Sequence, residues 1–215
     1  MQNKWLLITL SVIVLGFVGL VAYSKITAPP EVVSNGSSNF YGKEDSPVTV
    51  TEFLDFQCEV CYAYYPAVKQ VKELYKDKVR FQVRYFPIEG GGHAFSRLSA
   101  RSAQAAALQG KFWEMHDKLL EGQKIWELAS DPQTYYDKYA KEIGLDMTKF
   151  GEDRASEEVN AVINADLKVV RELNLPGTPS FLINGKKVEN PGGTVEGLSK
   201  MIDAAIKEAG IGTNK

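Results

Sequence analysis

Cys58-Glu59-Val60-Cys61 holds the only two cysteines among 215 residues and directly follows a strand-like run. A Cys-x-x-Cys pair where a strand meets a helix reads as a dithiol/disulfide redox centre. One helical turn separates the sulfurs, so they can close an intramolecular disulfide. Cys58, at the helix start, lies where free backbone N–H groups and the helix dipole favour a thiolate. It is therefore expected to be the more exposed sulfur, attacking or attacked, with Cys61 as the buried partner. A static disulfide across so short a loop would stabilise little. A zinc site would need two further ligands, and the only histidines, His93 and His116, stand at no ligand spacing.

Glu52 is the next candidate. It lies six residues before Cys58, on the strand face that carries Val48, Val50 and Leu54. A carboxyl among apolar neighbours is costly to ionise, so its pKa should rise, and such a group can pass a proton to or from Cys61. The alternative is a solvated carboxylate on an edge strand. Asp55 falls on the opposite face, as a turn or cap residue. His93 follows Gly90-Gly91-Gly92 and reads as a loop histidine near the site, and that glycine run lacks the strand-to-helix pattern of a phosphate loop. Arg97 and Arg101 read as a solvated basic pair, and Phe112, Trp113 and Met115 as helical core.

These residues need a scaffold. Residues 48–56 are β-rich, 58–75 read as a helix with a kink at Pro66, and 79–86 as a second strand, which together suggest a parallel βαβ unit. Val68, Val71, Leu74 and Tyr75 would form the buried side of that helix. Helices follow over 93–109, closed by Gly110, over 112–120, over 132–143, and from an N-cap at Ser156. A strand over 180–183, a type I′ turn at Asn184-Gly185, a return strand over 186–189 and a helix over 194–209 complete the chain. There is no internal repeat.

The net charge of −2 gives no electrostatic support for nucleic-acid binding. Trp5 to Tyr23 carries no charge and, as a helix, would be about 28 Å long, near the thickness of a bilayer's hydrocarbon core. With Lys4 before it, residues 1–23 are expected to anchor the chain in the cell membrane by a single pass, with the rest outside the cytosol; a cleaved signal peptide is the competing reading. Residues 24–39, rich in Pro, Ser, Asn and Gly, read as a flexible tether to a domain over 40–212.

Three segments carry a family resemblance: Glu52-Phe53-Leu54-Asp55-Phe56-Gln57-Cys58-Glu59-Val60-Cys61, Gly110-Lys111-Phe112-Trp113-Glu114-Met115-His116, and Pro176-Gly177-Thr178-Pro179-Ser180-Phe181. Together they resemble the DsbA-type thiol–disulfide oxidoreductases, particularly the membrane-anchored bacterial branch. The resemblance implies an α/β thioredoxin fold with an inserted helical domain, here at about 93–173. The length of chain between Cys61 and Pro179 requires an insertion independently. The resemblance also implies a cis Thr178–Pro179 bond, in a loop that faces the cysteines and pairs with substrate peptide, and an acidic residue at the position of Glu52. Glu59 and Val60 depart from the family, whose familiar members have Pro after the first cysteine and, in the best-known oxidase, His before the second. As an anion, Glu59 should oppose the Cys58 thiolate and make the disulfide less oxidising than in that oxidase.

The expected function is an oxidase that forms disulfides in cysteine-containing secreted proteins and is reoxidised by a quinone-linked membrane thiol oxidase, with no cofactor and no metal. A reductase or isomerase fed electrons across the membrane is the same chemistry reversed. Isomerases of this fold class usually carry a dimerisation domain, and none is visible here; the soluble domain is expected to be monomeric. A non-catalytic peptide-binding module and a metal-binding module are the readings from other classes.

Overall fold

The computed structural model describes residues 34–211, together with Leu10 and residues 13–17. Most of the expected anchor and most of the expected tether lie outside these. Among the described residues no helix is long and apolar enough to cross a membrane.

Five strands form one mixed sheet: β1 (Asn39–Gly42), β2 (Thr49–Leu54), β3 (Arg80–Tyr85), β4 (Ser180–Ile183) and β5 (Lys186–Lys187), in the order β1-β3-β2-β4-β5. β2 and β3 run parallel, joined by helix α1 (Glu59–Tyr75), while β1, β4 and β5 pair antiparallel to their neighbours. A strand–helix–strand unit of this kind pairs parallel because the helix returns the chain to the same end of the sheet. β2 is central: Glu52 stands beside Val83 of β3 on one side and Phe181 of β4 on the other. The edge-strand alternative for Glu52 is thereby excluded.

Strand alternation divides the core. Val48 and Val50 join Val71, Phe81 and Phe181 under α1 and the closing helix α8 (Val195–Glu208). Phe53, on the other face, packs with Leu182, Val170 and Leu175. Six helices stand between β3 and β4: α2 (Ser96–Ala107), α3 (Phe112–Glu121), α4 (Gln123–Trp126), α5 (Gln133–Glu142), α6 (Met147–Ala155) and α7 (Glu157–Glu172). Their core is continuous with Leu54, Phe56, Cys58, Cys61 and Tyr85, so the insertion and the cysteine pair share one apolar interior.

The Asn184-Gly185 turn has φ of 49° and 78°, as a type I′ turn requires. Ser156 caps α7 by accepting from the Val159 N–H, and Asp146 caps α6 by accepting from Lys149. Several sequence expectations are corrected. Helix α6 was not anticipated, because its apolar stripe reduces to Phe150 alone. Leu74 is exposed, and the return strand is only Lys186–Lys187. The expected tether ends sooner than residue 39: Ser37 is buried, donating to Asp166 and to the Val83 carbonyl, and Asn39 opens β1. Asp166 is fully buried and answered by Arg84 at 2.6 Å and by the Tyr85 N–H, as a buried carboxylate must be. Arg97 and Arg101 are not merely solvated. Arg97 spans to Glu89, Asn160 and Asn164, and Arg101 holds the carbonyls of Arg154 and Ser156 at the α6–α7 corner.

Candidate active site

Cys58 is the N-cap residue of α1, with φ −68° and ψ 124°, and its side chain makes no capping bond to the helix. The turn before it is built by Asp55. Its carboxylate accepts from the Gln57 N–H, from the Ile88 N–H and from the Ser96 hydroxyl, and its carbonyl accepts from the Cys58 N–H. Asp55 is thus a buried tie joining β2, the chain after β3 and α2. The insertion adds a second tie: the buried Gln123 donates Nε2–H bonds to the carbonyls of Phe56, at 2.7 Å, and Cys58, at 3.0 Å. Strand, turn and helix therefore fix the cysteine backbone from three directions.

Neither cysteine is in a disulfide and both are buried, Cys58 at 4% exposure and Cys61 at 2%. The expected contrast in exposure is therefore small, because the insertion and the Thr178 loop close over the helix start. The contrast is electrostatic instead. Cys58 is held down to about 5, chiefly because the Cys61 thiol donates to it. Burial opposes this, and Thr178 and the N–H groups of Cys61 and Val60 assist. Cys61 is pushed well up, first by burial, then by its bond to Cys58 and by the nearby charges of Cys58 and Glu52. One sulfur is a thiolate and its neighbour supplies the proton that stabilises it.

The Thr178–Pro179 bond is cis, and the loop faces the pair, with the Thr178 carbonyl oxygen 3.5 Å from Cys58 Sγ. That oxygen can accept only from the thiol form. The Thr178 side chain is instead what favours the thiolate, and its buried hydroxyl makes no hydrogen bond among the described residues.

Glu52 is buried and raised to about 7, by desolvation first, with the Lys72 ammonium pulling it part of the way back. Lys72 was missed in the sequence reading. It lies on the buried stripe of α1, in step with Cys61, Tyr65 and Val68, and a lysine at such a position was the available signal. Its Nζ sits 4.0 Å from the Trp113 ring centroid and 4.6 Å from that of Tyr41, a cation held by aromatic faces, and burial lowers its pKa. Glu52, Lys72 and the buried His116 line one cavity of about 30 Å3, which has room for a water molecule. Trp113 therefore belongs to this pocket rather than to the insertion's interior alone, and its indole N–H donates to the Phe40 carbonyl.

Val60 is 46% exposed beside Cys58, and Glu59 projects toward solvent, with its carboxylate 3.7 Å from His93 Nε2. The structure thus brings Cys58, Cys61, Glu52, Glu59, Val60, Thr178 and Pro179 into one neighbourhood. Among the described residues there is no cluster of three or more potential metal ligands.

A mixed sheet with a helix-start Cys-x-x-Cys, a cis-proline loop and a helical insertion defines a thioredoxin-fold dithiol protein. The thioredoxin family model matches residues 34–204, and the chain belongs to that family. It is 29% identical over 212 residues to the probable disulfide bond formation protein D of Bacillus cereus, covering 94% of this chain and 95% of that one. The solved thiol-disulfide exchange protein alpha-DsbA2 from Wolbachia pipientis is 27% identical, with a TM-score of 0.64 over 77% of this chain and 86% of that one. The chain is also 34% identical over 168 residues to Na(+)/H(+) antiporter NhaA 3 of Salinispora tropica; this covers 78% of the chain but spans only 24% of that protein's length. The expected likeness to DsbA-type thiol–disulfide oxidoreductases is thus found in both sequence and structure.

Proposed function

We propose that the protein forms disulfides in cysteine-containing secreted or surface proteins, by dithiol–disulfide exchange through Cys58 and Cys61. The observation that carries this reading is the Cys58 thiol held down to about 5. A stabilised thiolate stabilises the reduced enzyme, and so makes its disulfide a good electron acceptor. In the forward reaction a substrate thiolate attacks Cys58 Sγ of the enzyme disulfide. The S–S bond breaks, Cys61 leaves with the electron pair, and its high proton affinity draws a proton, supplied by Glu52. The substrate's second thiolate then attacks its own sulfur in the mixed disulfide and releases Cys58 as a thiolate. Two electrons have passed from substrate to enzyme, and both substrate sulfurs are joined.

Thr178 and Pro179 are assigned to peptide binding. Beside their loop runs an open groove of about 350 Å3, lined by apolar residues including Phe86, Ile88, Leu167 and Val170 and by the charged Glu89 and Arg171, a mixed surface that could take an extended peptide segment. Residues 1–23 are read as the membrane anchor, which places the domain outside the cytosol, where disulfides persist. A quinone-linked membrane thiol oxidase is the proposed electron acceptor. The antiporter relative lends no transport function to this reading, since the fold here presents a dithiol site. The exposed Glu59 beside Cys58 favours the second reading, a reductase or isomerase.

Two assays separate the directions. The oxidised protein should regenerate activity of reduced, unfolded ribonuclease stoichiometrically within minutes, and should catalyse insulin reduction by dithiothreitol only weakly. Efficient insulin reduction without ribonuclease oxidation would assign the reductase direction instead.

A further inference from the structure

The Glu59 carboxylate stands where it should weaken the Cys58 thiolate, yet it does not stand alone. His93 approaches it from a different part of the chain, with Nε2 3.7 Å from Glu59 Oε2. Three consecutive glycines with φ of 109°, 60° and 92° carry the chain over the end of the sheet and set His93 at the mouth of the dithiol. Side chains other than glycine rarely adopt such angles, so this path depends on the glycine run. The loop is tied to the cysteine turn. Gln57 Nε2 donates to the Gly92 carbonyl, the Phe95 N–H donates to Gln57 Oε1, and the His93 N–H donates to the Gly90 carbonyl. Both ring nitrogens of His93 are buried and have no hydrogen-bond partner among the described residues. Two buried ring nitrogens without a hydrogen-bond partner leave a polar side chain beside the dithiol that no other contact of the fold accounts for. The acidic groups that face it are Glu59 at the start of α1, next in sequence to Cys58, and Asp55 just after β2.

We propose that His93 is a redox-tuning residue, supplied by the Gly90–Gly92 loop rather than from between the cysteines, which offsets the Glu59 carboxylate and so preserves the Cys58 thiolate. This rests on the dithiol exchange proposed above. His93 acts through Glu59 and Cys58 and forms no bond to substrate; it is a positioning residue.

The test is a double-substitution cycle read by equilibrium of the Cys58/Cys61 pair with reduced and oxidised glutathione at pH 7. His93→Gln should favour the enzyme disulfide over the dithiol by about threefold, the size of a partly exposed charge pair. In the Glu59→Gln background, where there is no carboxylate to offset, the same change should shift the equilibrium by less than half as much. His93→Lys should restore it, a rescue that a purely steric role would not allow. Circular dichroism confirms that each variant is folded, and His93→Asn serves as the second neutral variant. Equal shifts in both backgrounds, no shift at all, or failure of the lysine to rescue would overturn the inference. A wild-type pair that does not exchange with glutathione would overturn the dithiol reading itself, which keeps the two failures distinct.

Discussion

Cys58→Ala should reduce ribonuclease oxidation to the rate of uncatalysed exchange, a loss of more than about a thousandfold, whereas Cys61→Ala should accumulate a long-lived mixed disulfide. The difference follows from the roles the geometry separates. Only Cys58 combines the N-cap position with contact to the Thr178 loop, the proposed peptide-binding loop. Its removal takes away both the attacked sulfur and the thiolate. Removing Cys61 leaves an isolated Cys58 thiolate that can still join a disulfide but has no neighbour to expel what it has bound. Non-reducing gel mobility and intact mass read the two outcomes directly. A Cys58→Ala protein that retained oxidase activity, or equal trapping by both variants, would reverse the assignment. Removal of Cys61 should also raise the Cys58 thiol toward the ordinary range, since the Cys61 proton is the largest influence holding it down.

The second large effect belongs to Glu52. Its carboxyl titrates at about 7 in the folded protein against an ordinary value of 4.5. Below about pH 4.5 it is protonated in both folded and unfolded chains, and nothing is lost. Between 4.5 and 7 the unfolded chain releases the proton while the folded one keeps it, so stability falls as pH rises; above about 7 the full cost is present. A rise from 4.5 to about 7 corresponds to about 3 kcal/mol. Glu52→Gln cannot ionise and escapes this cost. It should therefore gain on the wild type by about 3 kcal/mol between pH 4.5 and pH 8, seen as a melting-temperature difference that widens by roughly 6–12 °C. The same substitution should slow disulfide exchange by roughly a hundredfold, because the proton that Cys61 needs on leaving is no longer delivered. A more stable but slower enzyme is the expected signature of a buried catalytic acid. A Gln variant destabilised equally at all pH values would assign Glu52 a packing role.

The parts of this site readable from the chain were those with a local signature. The strand-to-helix Cys-x-x-Cys, the Gly-Thr-Pro before a strand, and a single carboxyl on an apolar face each announce their chemistry within a few residues. The length separating Cys61 from Pro179 likewise implied an insertion, and six helices occupy that interval. What escaped notice depends on long-range packing. Lys72 is an ordinary helix residue until Trp113 and Tyr41 fold over its ammonium. Gln123, 62 positions after Cys61, becomes the tie beneath the cysteine turn only once α4 docks there. His93 reads as a plain loop residue until the glycine run turns it toward Glu59. Asp55 was placed in a turn, yet its three-way tie to β2, Ile88 and α2 has no sequence pattern. Cys58 is the more exposed of the two sulfurs, as expected, but by little: a helix N-terminus is open by itself, and here Cys58 shares the insertion's apolar interior and lies against the cis-proline loop.

The dithiol is asymmetric, with one sulfur a thiolate and the other a thiol at neutral pH. Alkylation of the reduced protein by iodoacetamide, followed residue by residue by mass spectrometry from pH 3 to pH 10, tests it most directly. Cys58 should be modified with a half-point near the value of about 5 set by its surroundings, while Cys61 stays unmodified to the upper end of the range. Two cysteines reacting together, with half-points in the ordinary thiol range, would contradict it.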